Sequence, residues 1–452
     1  MFWLELVVVL AAIFVGARLG GIGLGVMGGL GLAVLTFVFH LQPTSPPIDV
    51  MLMIAAVVTA AGVLQGAGGL DYLVGLAERI LRSKPDAITF LGPLVTYTFT
   101  LFAGTGHVAY SVLPVIAEVA RETGVRPERP MSISVIASQQ AITASPISAA
   151  TVALLGMLGT GTVGAAFHIE LIDILKVCIP STLLGVLIAA FVVNRMGRDL
   201  AKDAEYQHRV EIGAAPAPGR HTPALTDGPV QPPASTRLAK LAVVIFLLAA
   251  VSVVLFGSFP ALRPAWKTAQ GVTQLGMPHV IEIVMLSAAA LMLLLCKVNV
   301  NRAVNGSVFI AGVQAVIAIF GIAWMGDTFF QGNMAFLSGS IKGMVTSAPW
   351  LFAFALFALS VLLYSQAATV RALMPLGISL GIPAPALMAM FPAVNGYFFI
   401  PNYPTIVAAI NFDRTGTTRI GRFVLNHSFM VPGLISTASA IAIGFLLVRF
   451  MY

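Results

Sequence analysis

The sequence predicts an all-α polytopic membrane protein made of two inverted-topology repeats, each with a re-entrant helical hairpin and a broken transmembrane helix. Three observations lead there. Hydrophobic residues make up 58% of the chain and charged residues only 10%, with a mean hydropathy of +0.94; no soluble core absorbs that much apolar surface. Membrane-length apolar runs recur along both halves, separated by basic loops. Four of those runs are interrupted by Gly, Pro, Ser, Thr, Asn or Gln, two in each half, at TLFAGTGHVAYSVLP (100–114), SQQAITASPISAATVALLG (138–156), YSQAATVRALMP (364–375) and NGYFFIPNYPTIVAAINFD (395–413).

Apolar runs of roughly 17 to 25 residues are read as spans. Residues 1–194 form a first membrane repeat, with scaffold spans within 2–69 (2–17, 20–39 and 50–69), a hairpin at 87–120, a broken helix at 131–157 and a span at 170–194. Residues 195–238, rich in Pro, Ala and Gly at their centre and without helical periodicity, read as a flexible cytoplasmic linker. Residues 239–452 form the second repeat, with scaffold spans within 239–328, a hairpin at 348–382, a broken helix at 386–410 and a last span at 423–449. The opening MFWLELVVVLAAIFVGAR has neither a basic n-region nor a small-residue cleavage site, and is read as a retained span. With both hairpins re-entrant, each repeat crosses the membrane five times, and an odd number inverts the second repeat.

The basic residues choose the orientation. With the N-terminus outside, 19 of the 25 Lys and Arg fall on the inner side, among them Arg79, Arg82, Arg126, Arg129, Arg209 and Arg419. The positive-inside rule therefore places both termini in the periplasm and the linker in the cytoplasm. This bias also accounts for the formal charge of +7 without a nucleic-acid partner. Cys178 and Cys296 lie inside apolar runs and read as packing residues.

Backbone that leaves the helix inside hydrocarbon is tolerated only where protein or a watery cavity satisfies its amides and carbonyls. Matching breaks in two halves point to a transporter's substrate site. At the first tip the candidates are Gly104, Thr105, Gly106 and His107; at the second, Ser365, Gln366, Thr369 and Arg371. The broken spans add Ser138, Gln139, Gln140, Ser145, Pro146 and Ser148 in one half, and Asn395, Asn402, Tyr403, Pro404 and Thr405 in the other. Pro146 and Pro404 are read as equivalent points where a half-helix is cut. Half-helices starting at mid-membrane present free amides and partial positive charge, so four converging ends make an anion site.

The bland readings stand beside these. Ser, Thr and Gly in membrane helices commonly serve close packing. His107 fits a packed neutral histidine as well as a ligand or proton carrier. Arg371 fits an acid-paired or snorkelling arginine as well as a carboxylate clamp, and Asp327 reads as an anchor near a span end. GLGVMG (23–28) matches the dinucleotide fingerprint without its preceding strand, and Gly21, Gly25 and Gly29 are read as a helix-packing face. GISLG (377–381) matches a nucleophile elbow, again with no strand before it. No metal-binding motif is present, and His107 near Thr105 has no positioned acid, so an enzyme is not expected. A channel would require the breaks to line a continuous pore.

Long segments resemble the Dcu family of anaerobic C4-dicarboxylate transporters: GARLGGIGLGVMGGLGL, HLQPTSPPIDVMLMI, GAGGLDYLVGLAERILR, FAGTGHVAYSVLPVIAEVA, RPERPMS, ITASPISAA and IPST, then GIAWMGDTF, YSQAATVRALMP and NFDRTGTTRIGRFVLNHSFMVPG. The resemblance runs end to end apart from the central linker. It implies exchange of fumarate, succinate, malate and aspartate across the bacterial inner membrane by an elevator mechanism of the ion-transporter superfamily. Gly104, Thr105, Gly106, Ser145, Pro146, Ser148, Ser365, Gln366, Thr369, Pro404 and Thr405 would then surround substrate. A homodimer and contact with a sensor kinase are further implications. Asn402 departs from the family pattern, which has threonine there, and Arg371 is basic in only part of the family. No cofactor is expected. Hairpin-tip carbonyls bind Na⁺ without a diagnostic side chain, so coupling to Na⁺ or H⁺ stays open. The alternative is a cation-coupled symporter of another small organic anion on the same architecture.

Overall fold

The computed structural model describes residues 1–19, 22–46, 48–158, 169–216, 236–268, 271–333, 336, 348, 350–363, 365–401, 403–421 and 425–452. Helices dominate. In the first half they are α1 (Phe2–Leu19), α2 (Gly23–Phe37), α3 (Ile48–Gly66), α4 (Gly69–Ser83), α5 (Ile88–Ala103), α6 (Ala109–Glu122), α7 (Glu128–Ile142), α8 (Ala149–Leu158) and α9 (Leu171–Val193). A short α10 (Ala204–Glu211) precedes α11 (Thr236–Ser258), and an antiparallel pair, β1 (Ala265–Thr268) and β2 (Gly271–Gln274), leads to α12 (Met277–Leu295). The chain continues through α13 (Val300–Val304), α14 (Ser307–Gly332), α15 (Leu351–Leu363), α16 (Gln366–Ser379) and α17 (Ala384–Met390). A 3₁₀ segment (Phe391–Phe398), α18 (Pro404–Phe412) and α19 (Met430–Met451) complete it.

Length and apolarity mark Pro85–Ala103, Leu171–Val193, Arg237–Ser258, Met277–Leu295 and Met430–Met451 as able to cross a membrane, among the described residues. The pair Met51–Gly66 and Gly69–Ser83 passes the same test jointly, but bends by 71° at its break. Multiple membrane-length helices in one chain make it a multi-pass membrane protein. Its exposed side chains agree, since Leu4, Phe14, Phe37, Leu248, Ile283, Phe354 and Leu446 face outward from long helices.

Two sets of contacts order the helices. The first joins α1, α2, α3, α12 and α14; the second joins α5, α7, α9 and α19 with the 3₁₀ segment. At the α2–α14 crossing, a Cβ on Gly25 would overlap the Ile317 carbonyl and one on Gly28 or Gly321 would strike the facing backbone. Only glycine allows that approach. The packing face is therefore Gly25 and Gly28; Gly29 faces open space, and Gly21 lies outside the described residues. The one-residue offset arises because the contact follows the three-residue ridge of α2, not the four-residue one.

Several expected boundaries change. The span read as 50–69 ends at Gly66, where Gly68 takes a left-handed φ of +76° and turns the chain into amphipathic α4. The last span starts at Met430, because Asp413 holds the preceding loop: its carboxylate accepts from Thr415 N at 2.9 Å, Thr417 Oγ1 at 2.8 Å and Thr418 N at 2.6 Å. The linker reading of 195–238 fails for its first part. Residues 195–216 are folded, with Asp203 capping α10 through Glu205 N and Tyr206 N and the Tyr206 ring buried; 217–235 lie outside the described residues.

That folded piece joins loops from both halves. Arg126 pairs with Asp203 and, at 2.5 Å, with Glu128; Arg129 reaches Asp199 at 2.7 Å. Arg419 reaches Glu205 at 2.6 Å, Arg209 donates to the Gly416 carbonyl at 2.7 Å, and Ser428 Oγ donates to Glu128 at 2.7 Å. The Arg419 guanidinium beside Glu205 holds its carboxyl below the usual range. Cys178 and Cys296 are free and buried. The GLGVMG glycines lie in and beside α2, and Ser379 of GISLG donates to the Leu376 carbonyl of its own helix at 2.8 Å, so neither motif has its expected strand.

Replacing Gly25 or Gly321 by leucine is expected to lose about 1–3 kcal/mol through overpacking, read as a lower melting temperature in detergent. Gly29→Leu is expected to leave the melting temperature unchanged.

Candidate functional site

All four interruptions are found in the fold, each with a local cause. α5 stops at Gly104, whose φ of +71° lets its amide donate to the Thr100 carbonyl at 2.8 Å. α7 stops at Ile142, and Ser148 bridges the gap to α8: its hydroxyl donates to the Ile142 carbonyl at 2.5 Å and accepts from Thr151 N at 3.1 Å. α16 starts after Ser365, which caps it by accepting from Ala368 N at 3.2 Å, while Thr369 Oγ1 donates back to the Ser365 carbonyl at 2.8 Å. α18 starts with Tyr403 as its cap residue and Pro404 in its first turn. Pro146 and Pro404 are not equivalent, since Pro404 opens a helix whereas Pro146 lies within the 143–148 break, before α8 begins at Ala149. A proline fits the first helical position because its missing donor is not needed there.

The breaks meet around Gln139. From the first turn, a Cβ at Gly106 would overlap the Gln139 amide, and one at Gly104 would lie 3.0 Å from the Ile147 carbonyl. Ser138 Oγ donates to the Gly106 carbonyl at 3.3 Å and lies 2.8 Å from Thr100 Oγ1. From the second half, Gln366 Nε2 donates to Gln139 Oε1 at 2.9 Å and to Asn395 Oδ1 at 3.2 Å. Asn395 Nδ2 donates to Gln140 Oε1 at 3.1 Å, and Gln140 Nε2 to Thr437 Oγ1 at 2.9 Å. One amide ladder thus runs through the centre and joins residues as far as 297 positions apart. The half-helices cross as well, with α8 packing on α16 and α18 on α6.

The ladder is dry. Ser138, Gln139, Gln140, Ser145, Ser148, Thr369, Asn395 and Thr405 are all buried, and Gln366 is nearly so. Its amides satisfy one another, as buried polar groups must. Thr405 Oγ1, in the first turn of α18, is one of several buried hydroxyls with no hydrogen-bond partner among the described residues. Leaving a buried hydroxyl unmatched costs about 1–3 kcal/mol. Thr405 shares that turn with Pro404, which has no amide hydrogen, and the Ile406 and Val407 amides already donate to the Tyr403 carbonyl at 2.9 and 3.1 Å. Beside it, the Tyr403 ring stacks obliquely on Tyr397 at 4.8 Å.

Ser138, Gln139, Gln366 and Asn395, with Gly104 and Gly106, come together at or beside this ladder; Ser145 lies in the 143–148 break, and Tyr403 and Thr405 open α18, which packs on α6 and α7. Ser365, Thr369 and Ser148 spend their polar groups on local caps. Thr105 lies half-buried in the first turn, and His107 belongs to the 3₁₀ turn Gly106–Val108; the His107 side chain and the whole of Asn402 lie outside what is described. Arg371 sits elsewhere. Five residues past Gln366, it is rotated about 140° round the helix, toward α14, where a Cβ on Gly326 would lie 3.5 Å from Ala372 Cα and Asp327 lies within electrostatic reach of the guanidinium. Asp327 is therefore a charge facing α16, not an interfacial anchor. Thr437 and Thr100 escaped the sequence reading, Thr437 because a single threonine in a long apolar helix carries no local signal, Thr100 because it lies just inside a continuous helix.

Comparison with known proteins identifies the family. The family model described as "Anaerobic c4-dicarboxylate membrane transporter" matches residues 1–452. The "C4-dicarboxylate transporter DcuA" of Wolinella succinogenes is 45% identical over 445 residues, covering 98% of each chain. The "C4-dicarboxylate transporter DcuA" of Escherichia coli K12 is 44% identical with full coverage of both, and the "Anaerobic C4-dicarboxylate transporter DcuB" of E. coli O157:H7 is 42% identical over 99% of this chain and 98% of its own. Among solved structures, the YdaH transporter of Alcanivorax borkumensis shares the fold with a TM-score of 0.55 at 16% identity, covering 99% of this chain and 96% of that one. MtrF of Neisseria gonorrhoeae gives 0.52 at 12% identity, covering 92% and 84%. These relatives are membrane transporters by name, not enzymes. The chain belongs to the family of anaerobic C4-dicarboxylate membrane transporters.

Proposed function

We propose that this protein exchanges C4-dicarboxylates, among them fumarate, succinate, malate and aspartate, across the bacterial inner membrane. The observation that carries the reading is the ladder on Gln139, where turns from opposite halves of the chain meet on one buried amide. Two inverted repeats explain why the halves contribute like parts: a helix pair with a turn (α5–α6, α15–α16) and an interrupted helix (α7–α8, α17–α18). We read the helix pairs as re-entrant, both termini as periplasmic and the 195–235 segment as cytoplasmic.

The chemistry follows from the donors. A carboxylate stripped of water needs a replacement for every strong hydrogen bond it gives up, or it stays in solution. Gln366, Asn395 and Gln140 each bring two amide donors, and the Thr405 hydroxyl has no partner among the described residues. Without substrate these amides bond to one another. Substrate entry swaps amide–amide bonds for amide–carboxylate bonds, which are stronger because one partner is charged. The reverse exchange on release lets the ladder close again without leaving a buried charge. Elevator movement of α5–α8 and α15–α18 against α1–α3, α12 and α14 is the step that carries the loaded ladder across. The tight Gly25–Gly321 contact supports assigning α2 and α14 to the static part.

Purified protein in liposomes is expected to exchange internal succinate for external labelled fumarate. No exchange in a folded, reconstituted sample would end the reading. Gln366→Ala and Asn395→Ala are each expected to weaken dicarboxylate affinity by about 10- to 100-fold, the worth of one hydrogen bond to a charged group, measured by competition in the exchange assay. Thr405→Val keeps shape and removes only the unmatched hydroxyl; it is expected to hold or raise the melting temperature while lowering affinity by about tenfold or more. Arg371→Gln or Asp327→Asn alone leaves one charge facing α16 or α14 without its counterpart and is expected to lower stability by about 1–3 kcal/mol. The double variant is expected to recover most of that loss in a melting experiment, while dicarboxylate affinity stays near wild type.

A further inference from the structure

The flank of the α5–α6 pair carries a second feature that the ladder does not use. A cavity of about 190 Å³ lies between that pair and α3, α4 and α11, walled by Leu73, Val74, Phe99, Phe102, Val108 and Phe246 among others, with only the Thr98 and Ser111 hydroxyls breaking its apolar lining. Phe102 and Leu76 at its edge are exposed, so it opens toward the surface that faces lipid. An apolar cavity of this size stays dry and takes an apolar guest.

The same helix supplies charge at the cavity's end. α4 leaves α3 at 71° and is amphipathic: Leu70, Ala77 and Leu81 face the protein, while Leu76 and Ile80 are exposed. One turn beyond the cavity, Gly75, Glu78, Arg79, Arg82 and Ser83 line an open groove. Within it Arg82 is engaged, bonding Glu78 at 2.9 Å and Glu122 at 2.6 Å, and Ser83 Oγ donates to the Ile80 carbonyl at 2.7 Å. Arg79 is exposed and, among the described residues, forms no ion pair. The groove therefore holds one uncommitted cation, next to an apolar cavity, on a helix bent out of the spanning direction. α4 is balanced in charge, Arg79 and Arg82 against Asp71 and Glu78, but with Arg82 held by Glu78 and Glu122 it is Arg79 that the helix presents outward, and a cation at a membrane surface attracts an anionic headgroup.

We propose that this groove and cavity form a binding site for one anionic phospholipid, with an acyl chain in the cavity and the phosphate on Arg79. The acyl chain lies between the α5–α6 pair and α3, α4 and α11, so its presence or release changes how freely that pair moves past its neighbours. The site requires only that the chain is embedded in a membrane; it stands whether or not the substrate is a dicarboxylate.

Native mass spectrometry of the full-length protein, delipidated and then titrated with phosphatidylglycerol or phosphatidylethanolamine, tests the site. Wild type is expected to retain one phosphatidylglycerol in preference to phosphatidylethanolamine. Arg79→Gln, a surface change, is expected to weaken phosphatidylglycerol binding by about fivefold, the worth of one cation at an anionic surface, and to leave phosphatidylethanolamine unchanged. Val74→Trp, which fills the cavity, is expected to abolish retention of both, with an unchanged melting temperature showing that the fold survives. Glycerol 3-phosphate in excess is expected to displace nothing, because it lacks the acyl chain. Equal retention of the two lipids by wild type, full phosphatidylglycerol binding in folded Val74→Trp, or displacement by glycerol 3-phosphate would each overturn the proposal.

Discussion

The demand that every backbone and side-chain polar group buried in an apolar protein find a partner governs this fold. Interrupting a helix frees amides and carbonyls that hydrocarbon cannot satisfy. Each interruption here is consequently paired with a polar side chain at a definite place: Ser148 across the α7–α8 gap, Ser365 at the head of α16, and the glutamine and asparagine amides where the turns meet. The polarity of the centre is thus first a structural necessity. The pairing is incomplete at a few buried hydroxyls, Thr405 Oγ1 among them, which have no partner among the described residues.

Much of the class and the location of the breaks was legible, because hydropathy and the Gly, Pro and Ser interruptions are local signals. Partnership was not. Nothing in the sequence near Gln140 points to Thr437, since a side-chain pair 297 residues apart is decided by how whole helices dock. The face of a helix was equally hidden: Arg371 and Gln366 share a polar stretch, yet five residues of helical rotation send Arg371 toward Asp327. The glycine face was misplaced by one position for a similar reason, because either ridge of a helix can make the contact and only the partner chooses. Helices α4 and α10 escaped a search for spans since their apolar stripe is narrow and their charges many.

The polar end of the molecule obeys different rules. There the segments 123–130, 195–216 and 413–421 are knitted by partly exposed ion pairs, each individually weak in water, but collected around buried Tyr206 and the Asp413 turn. A network of this kind fixes geometry more than it adds stability. It holds the ends of α7, α9 and α19 in one register, and those helices pack the side of the ladder.

The early part of the connector has one consequence for how the molecule is assembled. Residues 195–216 are made before any helix of the second half, and they dock on the loop that follows α6 through Arg126 and Arg129. A nascent chain that has reached α10 therefore already displays Glu205 and Arg209, the groups that will later grip Arg419 and the Gly416 carbonyl. The seat for residues 413–421 is built from that earlier segment, so the late-arriving piece meets it at the high effective concentration of a tethered partner.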